Sequence, residues 1–228
     1  MIKNILNLGD TAVYCDFGVE VNETINASVI VYFHHISELI KDKKIEGITN
    51  LTPSYNKLII SFDLTITNYK KIKNFVEGLN ISKNIKNNNQ KVKIPVCCDD
   101  EYGLDFSRLI EKLNIDKNKI LELYFSKEYF CYMTGFIAGM PFLGDLDQNM
   151  RAQRLETPRV KVPKGSVGLT EQFTNIYTFE SPGGWNIIGN TPLDVFDSTK
   201  EKDPNLINPG DTVIFKPITL DQYKNYNE

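Results

Sequence analysis

Residues 162–192 read VPKGSVGLTEQFTNIYTFESPGGWNIIGNTP. Short apolar runs around Val167, Ile176 and Ile187 are separated by the turn-forming groups PKG, SPGG and GNTP. No run is long enough for a helix, and the punctuation returns every few residues. That pattern predicts short strands joined by tight turns, as in a β-barrel or sandwich. The same spacing extends on both sides, through GMPFLG and TPR upstream and NPGD downstream. In SPGG and NPGD, Pro182 and Pro209 suit the second position of a turn. Gly183 and Gly210 are then expected to supply the positive φ of a type II turn at the third position. NPGD leads into TVIFKPI, a strand expected to close the sheet. One question remains open at this level: why the only tryptophan of the chain, Trp185, follows directly on a Pro-Gly-Gly corner.

Before residue 91 the pattern is different. Residues 11–17 alternate as a strand, and residues 22–43 carry Ile25, Val29, Tyr32, Phe33, Ile36 and Ile40 at helical spacings behind Asn22, a suitable N-cap. Strands are expected over 46–51 and 57–62 with a turn at 54–56, and a second amphipathic helix over 68–79. Residues 82–91, SKNIKNNNQK, lack apolar periodicity and read as a linker. Beyond it come a strand at 92–97 and short helices at 105–113 and 117–124, with Asp105 and Asp116 as candidate caps. The expectation is an α+β chain of two domains, 1–90 and 91–228.

Composition narrows the function. A formal net charge of -3 gives no basic footprint for nucleic acid. The most membrane-like stretch, residues 130–144, is too short to span and carries Gly and Pro, so it reads as a buried strand and turn. The start of the chain, MIKNILNLGD, has too short an apolar run for a secretory signal. A cytoplasmic protein is expected, neither bound to nucleic acid nor embedded in a membrane. Cys15, Cys97, Cys98 and Cys131 form no C-x-x-C pair and read as free thiols rather than metal or redox ligands. His34 and His35 sit side by side on a helix, pointing apart, so they do not chelate one ion. Asp99, Asp100, Glu101 and Asp105 cluster before a helix, where capping explains them more simply than a metal. Asp145 and Asp147 suit either a turn or a pocket. Lys164-Gly165-Ser166 does not have the spacing of a nucleotide-binding loop.

The segment 135–192 mixes backbone-opening glycines, aromatics and spaced polar groups, as small-ligand sites do. Phe136, Met140, Phe142, Tyr177 and Trp185 are candidate walls. Arg159, Lys164, Ser166, Thr174, Tyr177 and Ser181 are candidate polar contacts, with Gly183 and Gly184 at the corner. A barrel whose aromatics merely fill its core accounts for the same residues equally well.

Four motifs in order, GFIAGMPFLGDLD, TPRVKVPKGSVGL, NIYTFESPGGWNIIGNTP and NPGDTVIF, resemble the family of the B subunits of bacterial 5-oxoprolinase, also called the KipI or allophanate hydrolase subunit 1 family. The resemblance covers nearly the whole chain. It implies a small N-terminal α/β domain followed by a cyclophilin-like β-barrel. It further implies work with two partners, the A and C subunits of 5-oxoprolinase, the latter similar to allophanate hydrolase subunit 2. Together they would open the lactam of 5-oxoproline to L-glutamate, with ATP used by the assembled complex and no metal site evident in this chain. Relatives also include a part of biotin-dependent urea carboxylase and an inhibitor of a histidine kinase. These supply the alternative readings, a carboxyltransferase-type subunit or a regulatory binding protein. On the resemblance, Arg159 and Lys164 contact anionic groups, and Ser166 and Tyr177 the amide.

The chain also departs from the family pattern. Ala138, Met140 and Phe142 stand where Pro, Phe and Tyr are usual. Phe173, Asn175 and Thr178 replace Gln, Gly and Pro, and Asn190 replaces Arg. The implied pocket therefore lacks one amide, one guanidinium and one phenol hydroxyl. Either its substrate has changed, or it binds without turning over.

Overall fold

The structure, a computed structural model, describes residues 1–81 and 89–226. The chain divides into two compact units, Met1–Asn88 and Asn89–Glu228. Most of the 82–91 linker reading lies outside the described residues.

The first unit contains strands β1 (Asn4–Leu8) and β2 (Ala12–Asp16), helix α1 (Glu23–Lys41), strands β3 (Ile48–Pro53) and β4 (Lys57–Phe62), and helix α2 (Tyr69–Glu77). The sheet order is β1-β2-β4-β3, antiparallel throughout. Helix α1 starts where expected, because the Asn22 side chain accepts a hydrogen bond from the Ile25 N–H at 2.9 Å. Val29 and Ile36 on α1, with Ile72 and Val76 on α2, pack onto Val13, Cys15, Leu58 and Ile60. The alternation of β2 and β4 thus delivers one face to the helices. Strand β1 has no counterpart in the sequence reading. It is an edge strand with four of five residues exposed, so it carries no apolar alternation.

The second unit contains β5 (Lys91–Cys97), α3 (Phe106–Leu113), α4 (Lys117–Phe125), β6 (Tyr129–Thr134), β7 (Pro141–Gly144), β8 (Arg159–Val162), β9 (Ser166–Thr170), β10 (Phe173–Ile176), β11 (Ser181–Gly183), β12 (Asn186–Asn190), β13 (Thr212–Ile218) and α5 (Leu220–Lys224). Seven of these strands close a barrel in the order β10-β7-β6-β13-β5-β12-β9, with β9 pairing back onto β10. The stretch 130–144 supplies β6 and β7, and no helix among the described residues is long and apolar enough to cross a membrane. Strand β13 runs parallel to β5 and antiparallel to β6, so the strand after NPGD does complete the barrel. The barrel interior is packed with Ile94, Val96, Leu143, Val167, Leu169, Ile176, Ile188, Val213 and Phe215, and Leu109 of α3 and Ile120 and Tyr124 of α4 join the same core. A closed barrel filled in this way leaves its ligand chemistry to the outer face and the loops.

The two Pro-Gly turns behave differently. Gly210 has a φ of +96° and the Asp211 N–H returns to the Asn208 carbonyl at 3.0 Å, as expected of a tight turn. SPGG does not form that turn. Ser181–Gly183 is strand β11, paired with β8 in a separate two-stranded ribbon, and Gly183 is not at positive φ. Helix α5 also goes beyond the sequence reading. The capping box Thr219-x-x-Gln222 holds it, with both reciprocal bonds present.

Candidate functional site

The ribbon of β8 and β11 belongs to a second, smaller apolar cluster: Met140, Val162, Tyr177 and Ile187, flanked by Ile137 and Phe142. Alternation along the chain sets which residues reach it. Thr174 and Ile176 point into the filled barrel, and Asn175 and Tyr177 point to the opposite side. Phe142 meets Trp185 edge to face at 5.6 Å between ring centroids. The tryptophan therefore joins the corner to the barrel wall, as a large, partly polar ring does well.

Tyr177 is the hub of the polar groups here. Burial pushes its hydroxyl pKa up, while Asn175, the Trp185 backbone, and the charges of Arg154 and Arg159 pull the other way. It remains a protonated donor at neutral pH. The Asn175 amide lies near enough to pull on the Tyr177 pKa, yet neither of its ends has a hydrogen-bond partner among the described residues. Gly183 is glycine for a steric reason: a Cβ there would collide with the Tyr177 hydroxyl and lie 2.8 Å from its ring. Gly184 has no such constraint, because an added carbon would meet Pro158 at 3.5 Å and Arg154 at 3.6 Å.

Arg159 faces Gly183 across the ribbon and reaches Asp105, with Nη2 donating to Oδ1 at 2.7 Å. Oδ2 of the same carboxylate accepts the Ile187 N–H at 2.6 Å. Asp105 is 5% exposed and makes no side-chain cap bond to α3, so the capping expectation fails at this position. Its partners lie 54 and 82 residues away in sequence, which no local pattern reveals. Asp116 does cap α4, accepting from the Lys119 N–H at 2.9 Å. Asp99 bends a turn through the Glu101 N–H, and Asp100 pairs with Lys117, so neither caps a helix. Asp145 accepts from Tyr132 and Gln172, and Asp147 caps the short turn at Gln148–Met150. Among the described residues no group of three or more His, Cys, Asp or Glu is placed to hold a metal ion.

The remaining candidates divide. Among the described residues, Ser181 Oγ on β11 is buried without a partner, and so is Arg159 Nη1 on the strand paired with it. Thr174 faces inward, its hydroxyl bonded to Tyr124 and to the Gly168 carbonyl at 2.9 Å each, so it is not available to a ligand. Ser166 is buried in β9 opposite Asn190. Lys164 is half exposed and paired with Asp194, away from the Tyr177 cluster in its bonding. Phe136 is 80% exposed and so walls no enclosed space. Met140 and Phe142 pack against Val162, Tyr177 and Ile187 in the smaller apolar cluster. A separate open hollow of about 620 Å³ beside α5 is lined by Ile218, Asp221, Gln222, Asn225 and Tyr226, none of them a candidate from the sequence.

Most of the departures from the family pattern have structural employment. Phe173 meets Tyr132 edge to face at 5.8 Å. Thr178 donates to the Ala138 carbonyl at 2.7 Å. Asn190 donates to the Lys164 carbonyl at 2.9 Å and accepts from Tyr223 at 2.8 Å, tying α5 to the barrel.

Comparison with known proteins agrees with this architecture. The family described as "Carboxyltransferase domain, subdomain C and D" matches residues 3–207. The B subunit of 5-oxoprolinase from Bacillus subtilis (strain 168) is 31% identical over 240 residues, covering 98% of this chain and 96% of that protein. The crystal structure of TTHA0988 superposes with a TM-score of 0.79 at 28% identity, over 92% of this chain and 40% of that one. The urea amidolyase of K. lactis shares the fold, with a TM-score of 0.76 at 21% identity over 96% of this chain and 15% of that one. The chain belongs to the family of 5-oxoprolinase B subunits, built on the carboxyltransferase subdomain C and D fold.

Proposed function

We propose that this chain works within an ATP-dependent 5-oxoprolinase and that the Tyr177 cluster holds the lactam substrate. The observation that carries the reading is the end-to-end match to a 5-oxoprolinase B subunit, together with unpaired polar groups gathered at one corner of the barrel. In the reaction, ATP phosphorylates the lactam oxygen, which makes the ring carbon electrophilic. Water then adds and the C–N bond breaks, which frees the amine and leaves an acyl phosphate; a second water hydrolyses this to glutamate and phosphate. The residues of this chain bind and orient. Arg159 faces the substrate carboxylate, and Tyr177 donates toward the lactam oxygen as charge develops there. The nucleotide is assigned to a partner, with the A and C subunits of 5-oxoprolinase completing the expected assembly in the cytoplasm.

Reconstitution tests this directly. This chain is mixed with candidates for its A and C partners, and glutamate formed from 5-oxoproline and ATP is measured with each component omitted in turn. Turnover that vanishes when this chain is left out is the expected result. Turnover that persists without it overturns the reading. A stable complex with no turnover reassigns the chain to a regulatory or carboxyltransferase-type role.

A further inference from the structure

Thr178 and Asn190, polar replacements in the family motif, have hydrogen-bond partners; among the described residues Asn175 has none. It is fully buried, and neither Oδ1 nor Nδ2 is bonded among the described residues. Folded proteins seldom leave both ends of a buried amide unused, so the group demands an explanation. Space has been made for it: a Cβ on Gly168 would lie 2.8 Å from Asn175 Oδ1 and 3.1 Å from the Trp185 Cβ. Two further unpaired buried atoms lie on the covering ribbon, Arg159 Nη1 and Ser181 Oγ. Asp105 holds Nη2 of the same guanidinium, which leaves Nη1 unused, and the Arg159 charge is felt at Tyr177.

We propose that Asn175 is a specificity-determining residue that reads the cis-amide edge of a small ligand, while Arg159 and Ser181 take up its carboxylate. This deepens the 5-oxoprolinase reading and rests on it for the location of the site. A carboxamide presents a donor and an acceptor side by side. A lactam, imide or urea presents an acceptor and a donor on one edge, because its amide is cis. A trans amide points them to opposite sides, and a carboxylate has no donor. One cis-amide therefore satisfies both ends of Asn175 at once, and the adjacent guanidinium selects those that carry an anion. The unpaired atoms are sealed from solvent, and Trp185 packs beside Gly168, which also adjoins Asn175 Oδ1. As the single tryptophan of the chain, Trp185 reports a ligand bound there.

The test follows binding by Trp185 fluorescence in the isolated chain and by KM in the reconstituted assembly. The probes are 5-oxoproline, 2-pyrrolidone, which has the cis edge without the anion, and N-acetylglycine, which has a trans amide and the anion. Asn175→Asp keeps the shape and removes the donor, and is expected to weaken 5-oxoproline and 2-pyrrolidone by about tenfold each. Asn175→Gly restores the residue usual in the family and guards against a folding artefact. Arg159→Lys is expected to weaken 5-oxoproline and leave 2-pyrrolidone unchanged. Wild-type behaviour in both Asn175 variants, or equal binding of N-acetylglycine and 5-oxoproline, overturns the proposal and leaves the amide bonded to water alone. If 5-oxoproline is turned over and its KM ignores Asn175, this inference fails and the 5-oxoprolinase reading stands. If nothing is turned over but 2-pyrrolidone binds through Asn175, the reverse holds.

Discussion

Asp105→Ala is expected to lower the stability of the chain by about 3 kcal/mol in urea unfolding. The carboxylate is 5% exposed and serves two partners, the Arg159 guanidinium at 2.7 Å and the Ile187 N–H at 2.6 Å. Its removal leaves a guanidinium with side-chain exposure of 28% facing no counter-charge, and a strand N–H with no acceptor. The loss is large because breaking a buried pair strands the surviving partner, even where the intact pair contributes little net stability. Asp105→Asn keeps an acceptor for Ile187 and is expected to lose about half as much. A change below about 0.5 kcal/mol in the alanine variant, the range of ordinary surface substitutions, would show that the pair does not lock the ribbon to the barrel.

The second large effect concerns the Pro-Gly-Gly corner. Gly183→Ala is expected to destabilise by about 2 kcal/mol, because an added carbon collides with the Tyr177 hydroxyl and the ring is buried and cannot retreat. The ribbon must shift, and since Gly183 pairs with Arg159, the guanidinium shifts with it. KM for the lactam should therefore rise in the same variant. Gly184→Ala is the control: its new carbon has ordinary contacts at 3.5 and 3.6 Å, and a change within about 0.5 kcal/mol is expected. Equal effects at the two positions would mean that the corner needs glycine for backbone freedom, the reason suggested by the sequence, and not for close approach to Tyr177.

The short strands of the second unit and the caps at Asn22 and Asp116 are legible in the sequence, because they rest on local signals. Strand β4 follows its alternation from Lys57 to Phe62, α1 begins behind Asn22, and α4 behind Asp116. Strand β1 is hidden because an exposed edge strand needs no apolar alternation. Helix α5 has no buried residue and so no apolar stripe, which leaves its capping box as the one local signal. The site is legible in part. Tyr177, Arg159, Ser181 and Trp185 do gather at one corner, whereas Thr174 turns inward. Strand alternation puts Thr174 and Asn175 on opposite faces, and only knowledge of which face is the core decides between them. Asp105 is hidden for a different reason. Aspartate before a helix is ordinary capping chemistry, and its true partners are brought to it by barrel closure. At Gly183, Pro-Gly fits a type II turn equally well, and only the Tyr177 ring distinguishes the two uses of glycine.

On the function proposed above, the cluster around Tyr177 binds the reacting lactam. Steady-state ring opening by the reconstituted assembly, compared between wild type, Tyr177→Phe and Arg159→Lys, tests it most directly. Thermal unfolding of each variant establishes that the barrel is intact. The expected result is a fall in kcat/KM of about tenfold or more in each variant, the loss of one charged or buried hydrogen bond to the substrate. Rates within about twofold of wild type in both, with folding preserved, would contradict it and place the chemistry elsewhere in the assembly.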